Sequence, residues 1–149
     1  MLDLDEGFTQ ADPFELAKSW LKEAEAAEIN DPNAMALASV DRFGMPNVRT
    51  VLLKDIQVNS FVFYTNYNSE KGKAIIENPN VCLSFFWPTV ERQIIIKGRA
   101  EKTADIISDN YFASRPDGSK LGALVSPQSE VILNREFLEH SLIELEKEW

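Results

Sequence analysis

One cysteine and one histidine are all that this 149-residue chain offers to thiol or metal chemistry. With Cys82 alone in VCLSFF there is no internal disulfide, and the residue reads as a small hydrophobe packed in a strand. One Cys and one His cannot make a zinc site, so no metal is expected, and His140 reads as part of a solvated acidic helix face. No serine has a plausible His–Asp relay. Neither GxxxxGK[ST] nor GxGxxG occurs, which removes support for P-loop and Rossmann nucleotide binding. The carboxylates never pair in a strand setting that glycoside hydrolysis would need. No apolar run approaches a bilayer span, and MLDLDEGF is acidic where a signal peptide is basic, so the expectation is a cytoplasmic protein without a membrane partner. Chemistry without metal, triad or phosphate loop implies a borrowed cofactor or simple binding.

Basic residues are scarce too: 15 Lys and Arg stand against 24 Asp and Glu, a net charge of −9. That balance argues against a nucleic-acid partner. It is unevenly spread. Residues 1–31 hold nine acids and two bases, and residues 130–149 hold six acids and two bases. The centre therefore keeps nine acids and eleven bases, about +2 between acidic ends. A small anionic ligand held in the body fits this pattern, and so do two solvated helix faces around a neutral core. What is abundant is apolar: 44% of the chain, with nine Phe, enough for the core of one domain spanning residues 1–149.

Asp12 and Pro13 read as an N-cap and first helical residue, with residues 1–11 before them as a flexible tail. FELAKSWLKEAEAAEI continues as an amphipathic helix with Phe14, Ala17, Leu21 and Ala24 on one stripe. After the breaker NDPN, strands are predicted over AMALASV (34–40), NVRTVLLK (47–54) and FVFYTN (61–66), the spacing of an antiparallel meander. SEKGKAIIENPN (69–80) predicts a short helix with Ser69 as N-cap, stopped before Pro79. VCLSFFW (81–87) and RQIIIKGRAEKT (92–103) return to strand around a Pro88 turn. Beyond residue 103 come a helix over ADIISDNYFAS, a loop RPDGS, a short apolar piece LGALVS and a final helix from about Asn134. The class is α+β, mainly antiparallel: a five-stranded barrel or sandwich with peripheral helices.

Cations and polar donors gather at strand ends and helix starts. In VRTVLLK, Arg49 and Lys54 are five apart and so fall on opposite faces of a regular strand. Either long stems snorkel from a half-buried strand, or the strand lines an anion site. Tyr64 and Thr65 close the next strand, and Ser69, Glu70 and Lys71 open the following helix. Free N–H groups there, with Lys71, Thr65 and Arg49 nearby, would cradle a phosphate; ordinary caps would look the same. Gln93 is an amide in an otherwise apolar strand, expected to be buried and so to need partners: it pairs with backbone or reads the edge of a planar heterocycle. Tyr111, Arg115 and Ser119 mark either a surface loop or a second anion site anchored on Arg115.

RTVLLK, FVFYTN with SEKGK, ERQ, YFASRP with Ser119, and VSPQS (125–129) occur in the order found in pyridoxamine 5′-phosphate oxidases, and from about residue 11 onward the chain resembles that family. ADPFELAKSWLKEA and DPNAMALASVD also look like its entry helix and first strand. The resemblance implies a split β-barrel of the FMN-binding type, a homodimer, and FMN in the subunit interface. It implies oxidation of pyridoxine or pyridoxamine 5′-phosphate to pyridoxal 5′-phosphate, with electrons passing through FMN to oxygen. By position, Arg49, Thr50, Val51, Leu52, Leu53, Lys54, Tyr64, Thr65 and Lys71 match FMN contacts from one subunit. Gln93, Gln128 and Ser129 match further FMN contacts, several supplied across the interface. Lys54, Tyr111, Arg115 and Ser119 match the positions that hold the substrate's phosphate.

The pattern departs from the family in three places. Glu70 stands where many relatives carry arginine; a carboxylate suits a helix N-terminus but repels phosphate. The N-terminal tail has no basic, tyrosine-containing segment, and the 149 residues do not include the usual C-terminal Trp-bearing strand and Arg-x-His motif. No catalytic base is therefore assigned. Three functions compete: an FMN-dependent oxidase of a phosphorylated B6 vitamer, a non-oxidase FMN-binding paralogue such as a flavin reductase or flavin carrier, and a dimeric barrel with no cofactor.

Overall fold

A computed structural model describes residues 12–27, 30–132 and 134–148; the expected tail over 1–11 lies outside them. The first helix, α1, spans Pro13–Ala26, with Asp12 accepting a hydrogen bond from the Phe14 N–H at 2.9 Å and proline at its start. Strands β1 (Ala34–Val40), β2 (Pro46–Ile56) and β3 (Phe61–Phe63) form the expected meander. Helix α2 (Glu70–Glu77) leads to β4 (Asn80–Trp87), a single 3₁₀ turn over Pro88–Val90, and β5 (Arg92–Arg99). Helices α3 (Asp105–Ser114), α4 (Asp117–Val125) and α5 (Arg135–Glu148) follow. The strands form one curled antiparallel sheet in the order β3-β2-β1-β4-β5, so the expected α+β split-barrel class holds. No helix among the described residues is long and apolar enough to cross a membrane.

Alternation decides what the sheet covers. Met35 and Leu37 of β1, Val51 and Leu53 of β2, and Leu83, Phe85 and Trp87 of β4 are buried on one face, with Ala24 of α1 against them. Trp20 and Leu21 pack beside this cluster, so the predicted apolar stripe of α1 is the face it buries. The indole N–H of Trp87 donates to the Pro32 carbonyl at 2.7 Å, which gives a buried polar edge its partner. On the opposite face, Val48, Phe86 and Ile95 are 63%, 67% and 58% exposed.

Several expected boundaries shift. Strand β3 ends at Phe63 rather than Asn66, because Asn66 leaves the ladder to cap a turn: its Oδ1 accepts from the Asn68 N–H and its carbonyl from Ser69. Strand β5 ends at Arg99, whose partner Asn80 is the first residue of β4; beyond it Pro79 accepts from the Ala100 N–H at 2.8 Å but cannot donate to continue the ladder. The stretch expected as a loop and a short apolar piece is helix α4, started by Pro116 and Asp117 and supported by the Asp117–Lys120 pair at 3.0 Å.

Candidate functional site

Helix α2 and strand β2 meet at a corner where two cations lie together. Arg49 pairs with Leu37 across the β1–β2 ladder, so its side chain shares a face with Val51 and Leu53 at the open end of the core. Its Nη1 donates to Ser39 Oγ (2.6 Å), the Asn47 carbonyl (3.1 Å) and the Leu37 carbonyl (3.3 Å). Ser39 is 1% exposed, and this guanidinium fixes it. Lys71, in the first turn of α2, is half-buried, with its Nζ 3.5 Å from Ser69 Oγ. Burial pushes the Lys71 pKa below the ordinary lysine value; the Arg49 charge lowers it further, and Glu70 partly offsets both. Among the described residues neither Arg49 nor Lys71 has an ion-pair partner. Two neighbouring cations that repel each other beside open helix N–H groups are a donor set suited to a phosphate.

The start of α2 is built tightly. Ser69 is the N-cap, as predicted, its Oγ accepting from the Gly72 N–H at 3.3 Å and donating to the Asn66 carbonyl at 2.6 Å. A Cβ at Gly72 would sit 2.4 Å from the Tyr67 carbonyl oxygen and 2.7 Å from that of Asn66. Only glycine lets the preceding loop, which carries Tyr64 and Thr65, approach the helix this closely.

From this corner a cleft of about 1690 Å³ runs past Thr50, Val51, Tyr64, Thr65 and Lys71 to Tyr111, Arg115, Ser119 and Gln128. Tyr64 and Tyr111 stack with ring centroids 3.7 Å apart and planes 4° apart, and the Lys54 ammonium lies 5.8 Å from the Tyr111 ring centroid. Lys54 thus meets the α3 residue with which the resemblance groups it. Arg115 follows the end of α3, its guanidinium 5.8 Å from the Phe112 ring and without an ion pair among the described residues. Ser119 lies in the first turn of α4. Thr65 Oγ1 and Gln128 Oε1 are 3.5 Å apart, across 63 residues of sequence. Ser129 has a left-handed φ of 67° in a turn that the Glu130 N–H closes onto the Pro127 carbonyl at 3.1 Å.

Gln93 corrects one expectation: it is exposed, not buried, and faces away from this cleft in register with Phe86. Leu52 shares that outer face, while Leu53 is buried in the core. Other parts of the site were not singled out from sequence. Asn47 donates to Glu70 Oε1 at 2.9 Å, and the Lys102 ammonium lies 4.6 Å from the Tyr67 ring at the cleft wall. A polar residue at a strand start and a lysine after a strand end are too common to signal either contact.

The donor set fits a flavin mononucleotide in kind: paired cations and a helix start for a phosphate, and hydroxyl, amide and aromatic groups along the cleft for a planar ring.

Residues 21–147 match the family described as pyridoxamine 5′-phosphate oxidase. The chain is 59% identical over 139 residues to a pyridoxine/pyridoxamine 5′-phosphate oxidase of Flavobacterium johnsoniae, covering 93% of this chain and 65% of that relative. It therefore spans somewhat under two thirds of that relative's length. Among solved structures, PhzG from Burkholderia lata, in complex with tetrahydrophenazine-1-carboxylic acid, superposes with a TM-score of 0.89 at 26% identity, covering 95% of this chain and 71% of that one. A pyridoxamine 5′-phosphate oxidase-related, FMN-binding protein from Nostoc punctiforme superposes with a TM-score of 0.67 at 16% identity, over 87% of this chain and 72% of that one, a likeness of fold.

Proposed function

The chain belongs to the pyridoxamine 5′-phosphate oxidase family, and from that premise we propose that it binds FMN and acts in the oxidation of pyridoxamine or pyridoxine 5′-phosphate to pyridoxal 5′-phosphate, with oxygen as acceptor. The observation that carries the reading is that Arg49 of β2 and Lys71 in the first turn of α2 act on each other and have no ion-pair partner among the described residues. In this reading those two residues hold the flavin phosphate, while Thr65, Gln128 and Ser129 border the cofactor and Tyr64 lies at the junction with the substrate position. Lys54, Tyr111, Arg115 and Ser119 hold the substrate's phosphate. A bound flavin supplies the two-electron acceptor; the protein supplies position and charge.

The proposal includes a homodimer in the cytoplasm. Val48, Leu52, Phe86 and Ile95 form an exposed apolar outer sheet face, and Gln93 stands among them, turned from its own cleft. A flavin contact from Gln93 then requires a second copy seated on that face. Gln128, beside Thr65 of its own chain, does not.

The test is an FMN titration followed by quenching of flavin fluorescence, with riboflavin as control, and then an assay of oxygen-dependent pyridoxal phosphate formation. Saturable binding at one FMN per chain, tighter than riboflavin, is the expected result. Equal affinity for both flavins would remove the phosphate assignment. The likeness to PhzG gives a second reading its weight: a flavin-binding relative with another substrate or none, such as a flavin reductase or carrier. An FMN-loaded protein that makes no pyridoxal phosphate would favour it.

A further inference from the structure

A carboxylate lies at the phosphate corner and yet pairs with neither cation there. Glu70 is the first residue of α2, next to Lys71 in sequence and close enough for its charge to act on that lysine. Its carboxylate forms no ion pair with Lys71 or Arg49; Oε1 instead accepts from the neutral amide of Asn47 at 2.9 Å, across 23 residues of chain. Asn47 has a second hold on the corner, because its carbonyl accepts from Arg49 Nη1 at 3.1 Å. One residue at the start of β2 therefore touches both the guanidinium and the carboxylate.

A Glu70 carboxylate released from Asn47 is free to turn toward the cations of this corner, and its charge already acts on Lys71. The first turn of a helix favours negative charge, and two cations without an ion pair among the described residues stand nearby. A carboxylate that settled there would occupy the same donors as an incoming phosphate and cancel their charge. We propose that Asn47 is a positioning residue of the anion site, tethering the Glu70 carboxylate so that Arg49 and Lys71 stay open for the phosphate of an FMN-like ligand. The inference rests on the reading of this corner as a flavin-phosphate site.

The experiment compares wild type, Asn47→Ala, Glu70→Gln and the double variant. Two readouts are taken on each: the ratio of FMN to riboflavin dissociation constants, and the titration of the Lys71 ζ-methylene followed by NMR. In Asn47→Ala, FMN should weaken about threefold to fivefold relative to riboflavin, the scale of one competing, partly exposed ion pair. The Lys71 titration should move upward as the carboxylate closes on it. Glu70→Gln added to Asn47→Ala should reverse both changes. A loss that the second substitution does not rescue would mean that Asn47 acts only through the β2 backbone, and the proposal would fall. Unchanged flavin ratio and titration in Asn47→Ala would overturn it as directly. If wild type itself does not distinguish FMN from riboflavin, the flavin reading fails; the Lys71 titration then still decides whether Asn47 restrains Glu70.

Discussion

Replacing Lys71 by Gln should separate what the corner does for a ligand from what it does for the fold. The ammonium has no ion-pair partner among the described residues, and its hydrogen bond to Ser69 Oγ is long at 3.5 Å. Burial and Arg49 both disfavour its charged form. Removing it takes away one charge-assisted hydrogen bond to a bound phosphate, about 1.5–3 kcal/mol, or about 10- to 150-fold in the FMN dissociation constant. Riboflavin, which carries no phosphate, should bind as before. Stability should move the other way. A lysine whose folded pKa lies below its unfolded one destabilises the fold while protonated, and that cost fades as pH rises from the folded toward the unfolded value. At neutral pH, Lys71→Gln should therefore leave the urea midpoint unchanged or slightly higher. The same sign governs binding: wild-type FMN affinity should decline at alkaline pH as Lys71 loses its proton, earlier than for an ordinary lysine, and the variant should lack that decline. Fluorescence titration from pH 7 upward and urea unfolding measure both. Equal loss of FMN and riboflavin, or a clear drop in the urea midpoint, would refute the reasoning.

Gly72→Ala should destabilise the protein by about 1–3 kcal/mol despite alanine's better helix propensity, because the atoms it meets are backbone carbonyls of Tyr67 and Asn66 that cannot swing aside; urea unfolding measures it, and an unchanged midpoint would mean that the loop yields freely. Arg115→Ala should spare FMN and weaken the phosphorylated substrate about 10- to 100-fold, read as KM in the oxidase assay. Equal loss of both ligands would mean that the two anion positions are interchanged. Phe86→Glu puts a charge at a residue 67% exposed on the outer sheet face. It should shift sedimentation from dimer to monomer while the circular dichroism spectrum stays the same, and an unshifted dimer would place the interface elsewhere.

Features set by neighbours in sequence were legible. Asp12-Pro13 and Ser69 start their helices as read, because a cap is satisfied within three residues. Features that depend on a distant partner were not. Where β5 stops is decided by where β4 starts, since Arg99 pairs with Asn80 and the next residue opposite, Pro79, accepts from the Ala100 N–H but has no N–H to return. The expected burial of Gln93 fails for a related reason. In RQIIIK the apolar residues occupy both faces, so alternation could not tell the half-buried Ile94 and Ile96 from the exposed Ile95. That same double-faced run is what an exposed sheet face awaiting a second copy would carry.

The two cations of VRTVLLK show how a count of residues meets its limit. Five positions apart, Arg49 and Lys54 should face opposite ways on a regular strand, and the register of β2 against β3 shows why the count alone does not describe them. Leu53 pairs with Phe63 and Asp55 with Val62, so two steps on β2 match one on β3, and Lys54 is the extra residue of a bulge. Before it, Arg49, Val51 and Leu53 share the core side; after it, Ile56 returns to the core, out of phase with them. Lys54 is thereby released from the pleat and approaches Tyr111, while Arg49 stays with Ser39 and the start of α2. Without the bulge, Lys54 would be held on the outer face with Leu52. With it, the two ends of one strand point to separate places, and under the proposed function Arg49 serves the flavin phosphate and Lys54 the substrate phosphate.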